Sequence, residues 1–231
     1  LADGRRAIQG TTRHAKGRRV NRAFAFEIDP VTLRYKAYAV DPRQVEEGLG
    51  GAAMSRVPAR EKRDLEQVFA DDFIPGGGGE EPPPNCGEPT LCQNPCSGNW
   101  TISVSTYDPI FLQLTRTSGS ASWWEMPTTC VFKSQASGAC EAAAPSALGT
   151  NWFITSCSRT GGGLRNGGPN FTAQGTYINY DFQLDNLATY VVQQVSLQYS
   201  GTLNTSWSHV DSGEGSTLIF GLVSEAGSDG C

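Results

Sequence analysis

The sequence predicts a mainly β protein: a disulfide-bonded β-sandwich or barrel in the C-terminal part, preceded by a small α+β module. Three observations lead there. Short runs rich in β-branched and aromatic residues recur from Asn99 onward, broken by clusters of Gly, Ser, Asn and Pro. All 7 cysteines lie in that same part. The charge also changes along the chain: residues 1–75 hold 14 Lys+Arg and 11 Asp+Glu, whereas residues 76–231 hold only 4 and 12. The first part is therefore net +3 and the second −8.

The change falls at a segment with four consecutive glycines (76–79) and three consecutive prolines (82–84). Glycines give slack and prolines stiffen the chain into polyproline geometry. We expect a module over 1–73, a Gly/Pro-rich linker over 74–85 and a disulfide-rich β domain over 86–231.

In the first module, Leu1–Gly17 reads as a short helix with a weak apolar stripe of Ala2, Ala7, Ile8 and Ala15, diluted by Gly4, Gly10 and Gly17. Basic residues crowd from Arg5 to Arg22, with Asp3 the one nearby acid. Phe24–Ile28 and Leu33–Val40 alternate in polarity around Asp29-Pro30, which predicts a hairpin. Residues 59–73 predict a charged amphipathic helix with Leu65, Val68, Phe69 and Phe73 on its apolar stripe.

In the second module the strand signals cover Trp100–Tyr107, Ile110–Thr115, Cys130–Lys133, Trp152–Cys157, Thr176–Leu184, Tyr190–Tyr199, Thr202–His209 and Thr217–Val223. Val195, Leu197 and Tyr199 alternate with Ser196 and Gln198, giving one buried face and one wet face. Tyr199-Ser200-Gly201-Thr202 reads as a hairpin turn. Many short strands without a helical pattern point to a sandwich or a barrel.

Composition excludes several classes. No apolar run approaches the roughly 18 residues of a membrane helix. The formal net charge of −5 argues against a nucleic-acid binder. With 10 Phe, 5 Trp and 7 Tyr the chain can bury a core. The cysteines are Cys86, Cys92, Cys96, Cys130, Cys140, Cys157 and Cys231. Their spacing lacks the duplicated C-x2-4-C pairs of zinc sites, and the only histidines are His14 and His209. We expect disulfides, no metal and no cofactor, and hence an extracellular or cell-surface protein. Six paired cysteines allow 15 connectivities, and the seventh is either free or bonded between chains.

Catalytic signals are sparse. Ser206, His209 and Asp211 lie close in sequence, but a strand would set His209 and Asp211 on one face with no nucleophile elbow. The Gly-rich stretch 160–169 lacks the Gly-Lys-Ser/Thr ending of a phosphate cradle. We therefore expect no enzyme; a secreted hydrolase is the remotest alternative. Trp123-Trp124 offers a binding signal, since adjacent strand residues point to opposite faces. Either one ring is exposed, as glycan stacking requires, or both pack at a sheet corner. Sequons at Asn99, Asn170 and Asn204 permit N-glycosylation. Arg19-Val20-Asn21-Arg22 has the Arg-x-x-Arg form of a proprotein cleavage site.

The expected helix with small and basic residues, the Gly17-Arg18-Arg19-Val20 exit and the Asp-Pro hairpin together resemble type IV pilin-like proteins over Ala7–Val40. The likeness is to the region after the membrane helix, especially in H-type minor pilins and pseudopilins. That family's processing motif and hydrophobic helix are absent from this sequence. The resemblance implies a β-rich head displayed on a filament. With the charge asymmetry and the odd cysteine, it leads us to expect a structural subunit of an extracellular filament, pilus-like appendage or surface layer. Its partners would be copies of itself; the alternative is a secreted carbohydrate-binding module or adhesin.

Overall fold

The computed structural model describes residues 6–28, 35–42, 96–108, 112–125, 132–142, 151–161, 165–166, 169–180, 188–199, 202–212 and 220–230. Their elements are strands in two sheets. Sheet A runs, edge to edge, β1 (Arg6–His14), β11 (Leu203–Ser212), β10 (Thr189–Tyr199), β9 (Asn170–Asn179) and β7 (Trp152–Gly161). Sheet B runs β3 (Tyr35–Val40), β2 (Arg19–Ile28), β12 (Phe220–Asp229), β4 (Ser97–Tyr107), β5 (Gln113–Glu125), β6 (Phe132–Ala142) and β8 (Arg165–Asn166). Every ladder is antiparallel.

The inner faces of the sheets share one core in a sandwich-like arrangement. Sheet A supplies Phe171, Val195, Leu197 and Trp207; sheet B supplies Phe24, Phe26, Trp100, Ile102 and Trp123. Trp207 is stacked on Phe26 at 5.3 Å and tilted against Phe24 at 5.6 Å. Burying an aromatic or large aliphatic side chain stabilises by about 1.5–3 kcal/mol, so this layer dominates the fold. Ala23, Ala25, Val40, Tyr107 and Leu222 form a second buried cluster on the opposite face of sheet B.

The expected helix over Leu1–Gly17 is not formed: Arg6–His14 is β1, paired with β11 from Arg6↔Asp211 to His14↔Leu203. The period is two. Ile8, Gly10 and His14 are buried while Ala7, Gln9, Thr11 and Arg13 are exposed. Gly10 lies under the Trp207 indole, where a Cβ would meet the ring. Tertiary contact with Trp207 outweighs the weak helical stripe, as it commonly outweighs local propensity. The expected hairpin is present, with β2 and β3 paired from Ala23↔Val40 to Ile28↔Tyr35. The helix expected over 59–73 and the linker over 74–85 lie outside the described residues. Strands from before that linker enter both sheets, β1 beside β11 and β2 beside β12.

Small residues make long strands in the middle of sheet B. β5 (QLTRTSGSASWWE) and β6 (FKSQASGACEA) are rich in Ser, Gly and Ala. Their glycines let large rings approach the backbone: Phe171 covers Gly119, as Trp123 covers Gly98 and Phe26 covers Gly221. Glycine weakens a strand interior unless something packs over it; at these three positions an aromatic ring does so, and at Gly138 the Ala173 methyl does.

Cys140 on β6 and Cys157 on β7 are disulfide-bonded, with Cα atoms 6.0 Å apart and a sequence separation of 17. The bond ties the edge strand of sheet A to sheet B, and a loop of this size is worth about 3 kcal/mol in the chain-entropy model. Cys96 is also disulfide-bonded. Cys86, Cys92, Cys130 and Cys231 lie outside the described residues.

Because no Cβ fits between Gly221 and the Phe26 ring, Gly221→Ala is expected to destabilise the fold by about 1–3 kcal/mol. A urea titration reads this as a lower midpoint at unchanged slope. An unchanged midpoint would mean that ring and strand separate without strain.

Candidate functional site

The residues singled out in the sequence go to different places. Trp123 is buried at 1% exposure, above Gly98 and tilted against Tyr199 at 5.5 Å. Trp124 faces outward at 37%, between Ser97 of β4 and Lys133 of β6. One ring of the pair is thus exposed. Asn99 and Asn170 are exposed, and Asn204 is half-buried with its side-chain amide donating to Thr202 O at 3.4 Å. On sheet A, Asn170 and Asn204 both lie opposite Gln198.

Ser206, His209 and Asp211 are divided by the pleat. Ser206 points outward, sharing a 2.6 Å hydrogen bond with Ser196. His209 and Asp211 point into the core, with Nε2 3.3 Å from Oδ2, and are only 1% and 4% exposed. Phe26 packs edge-on to the His209 ring at 5.3 Å. Serine and histidine therefore lie on opposite sides of sheet A, and they make no nucleophile–base pair. Tyr177 is another interior polar group, its hydroxyl donating to Arg116 O at 2.6 Å and lying 2.8 Å from Thr117 Oγ1. Burial pushes its hydroxyl up to about 12, against the lowering effect of the Thr117 hydrogen bond. Among the described residues no group of three His, Cys, Asp or Glu side chains is arranged to hold a metal ion. No helix among them is long and apolar enough to cross a membrane.

A buried ionic cluster between the sheets was not legible in the sequence. Glu225 of β12 has a fully buried side chain. Its Oε2 lies 3.1 Å from His14 Nε2 and accepts from Arg22 at 3.1 Å, and its Oε1 accepts from the Thr205 hydroxyl at 3.0 Å. His14 Nε2 is also 3.2 Å from Thr205 Oγ1, and its ring packs on Trp100 at 4.3 Å. Burial alone would raise the Glu225 carboxyl; the His14 hydrogen bond, the charges of Arg22 and His14 and the Thr205 hydroxyl hold it below the usual carboxylate range. The residues come from β1, β2, β11 and β12, so pairing them required the fold.

The most unusual surface is β7. From Phe153 to Gly161 all nine residues are exposed, so both faces of the strand are open. Phe153 and Ile154 are 47% and 43% exposed, and β7 is an edge of sheet A. A register shift between Ile154 and Ser156 bends it away from regular pairing with β9. Arg159 is its one charged residue.

The Glu225 cluster carries a pH dependence. Its carboxyl ionises more readily folded than unfolded, so the unfolded chain binds more protons as the pH falls. Its contribution is therefore fully present above the ordinary value of 4.5 and lost as the pH drops through the lower folded value. Glu225→Gln is expected to cost about 1–3 kcal/mol at neutral pH, because a neutral amide replaces the buried carboxylate that accepts from Arg22 and Thr205. It should also flatten the loss of stability between neutral pH and about pH 3. Urea titrations of both proteins at the two pH values test this; equal losses on acidification would assign the acid sensitivity elsewhere.

No protein-family model, no curated protein and no solved structure matches this chain.

Proposed function

We propose that the chain is a non-enzymatic structural subunit of an extracellular filament, pilus-like appendage or surface layer, whose copies join along β7. One observation carries this reading: a ten-residue edge strand exposed on both faces from its second residue onward. An antiparallel sheet commonly packs one face on the core, and an exposed edge with a single charge, here Arg159, is a template for another chain. On sheet B, β8 is an edge of only two residues, whereas β1, the other edge of sheet A, is a nine-residue strand that can receive a further strand. The Cys140–Cys157 bond holds β7 in place, and such bonds form in oxidising compartments outside the cytosol.

Laying β7 of one copy against β1 of the next continues sheet A through the contact. It leaves one free edge at each end, the open heterologous geometry from which filaments grow. β7 against β7 would instead close as a dimer. This reading moves the contact from a separate N-terminal module to the sheet edges, because β1 and β2 are ladder neighbours of β11 and β12. The resemblance of residues 7–40 to pilin-like proteins loses its helix, since Arg6–His14 is β1, and keeps only the paired strands β2 and β3.

Sedimentation and negative-stain microscopy of the full chain, with disulfides intact, test the proposal. Open-ended polymers that lengthen with concentration are expected. Ile154→Lys, at an exposed position, should leave a folded monomer because it charges the edge. A native chain that stays monomeric or stops at a dimer, or polymers unaffected by Ile154→Lys, would contradict the reading.

A further inference from the structure

The outward face of sheet A carries a second feature, independent of the β7 edge. Alternation in β1, β9, β10 and β11 turns one residue set into the core and the other outward. The outward set is in register across the sheet. Thr11, Ser206, Ser196, Thr172 and Thr160 are successive partners, a row of hydroxyls spanning all five strands. The neighbouring row is Gln9, Ser208, Gln194, Gln174 and Ser158, again without a charge.

At one end of this face the row turns aromatic. Phe153 and Tyr190 both lie opposite Ile178, one on either side. They are 47% and 46% exposed, and Tyr180, 55% exposed, lies against Phe153 with ring centroids 6.4 Å apart. Along β10 the outward residues therefore run from a ring at Tyr190 through Val192, Gln194 and Ser196 to Gln198. Eight residue steps span about 27 Å of strand, long enough for several sugar units in an extended chain.

We infer that this face binds an uncharged, extended polysaccharide, laid along β10 with one sugar ring on Tyr190 and its hydroxyls on the amide and hydroxyl rows. The chemistry selects the class. Exposed aromatic rings offer an apolar face to sugar C–H groups. Amides and hydroxyls both donate and accept, as sugar hydroxyls do. Within these rows there is no cation to draw an acidic polymer and no carboxylate to draw a basic one; Arg13 lies at the far margin, opposite Asn204. Trp124, on sheet B, takes no part.

The test is co-sedimentation of the full chain with insoluble cellulose and chitin, plus affinity electrophoresis in gels containing a soluble neutral β-glucan or heparin. Retention on at least one neutral polymer is expected, weakened about tenfold by Tyr190→Ala and by Gln194→Ala. Trp124→Ala should bind as the native chain does. Ile154→Lys should bind too, which separates this site from the assembly edge. Circular dichroism of each variant certifies its fold, and both Tyr190→Ala and Gln194→Ala change solvent-facing positions. Failure of every neutral polymer to retain the native chain, retention by heparin alone, or undiminished binding by folded Tyr190→Ala would overturn the inference.

Discussion

One buried carboxylate ties the first strands of this fold to the last. Glu225 is sealed between two sheets, and a charge so placed is tolerated only if cations and hydrogen-bond donors surround it. Its partners are His14 and Arg22, about 200 residues away in sequence, and Thr205 across the sandwich. The first strands are thus held by a charge near the end of the chain. This explains why β1 and β2 join the sheets of the later strands. The positive early segment and the negative later one are matched within a single subunit at this point, where charge asymmetry alone pointed to contacts between subunits.

The second constraint is space. Small residues in the strands and large rings over them are two halves of one device, seen at Gly10 with Trp207, Gly119 with Phe171 and Gly221 with Phe26. It fixes strand register, because sliding by one residue would put a Cβ under each ring. It also lets strands poor in branched side chains pack tightly. Where this device stops, at β7, the sandwich opens: Trp152 is buried and the nine residues after it are not. The disulfide at Cys157 replaces packing as the restraint there. A strand held covalently yet left bare is suited to a contact made by another molecule.

Legibility in the sequence followed physical cause. Trp152–Cys157, Tyr190–Tyr199 and Thr202–His209 are rich in β-branched and aromatic residues, and β7, β10 and β11 are found there. The Asp-Pro hairpin was legible because both its arms alternate. β5 and β6 were largely missed, since Ser, Gly and Ala carry little strand propensity and their partners are rings on distant strands. β1 was mistaken for a helix because Ala and Ile at helical spacing masked a period of two, which only Trp207 over Gly10 enforces. The exposed member of the Trp123-Trp124 pair was not identifiable until register put Trp123 over Gly98. The wet face of β10 was legible from its alternation, but the Glu225 cluster and the rows across sheet A were not, because each is assembled across strands.

Amide hydrogen exchange, read by mass spectrometry on the full chain at low and high protein concentration, addresses the central claim most directly. Contact along the edge should slow exchange in Phe153–Gly161 and in β1 as concentration rises, leaving β9 and β10 unchanged. Unaltered exchange in β7 across that range, or protection confined to another strand, would contradict it.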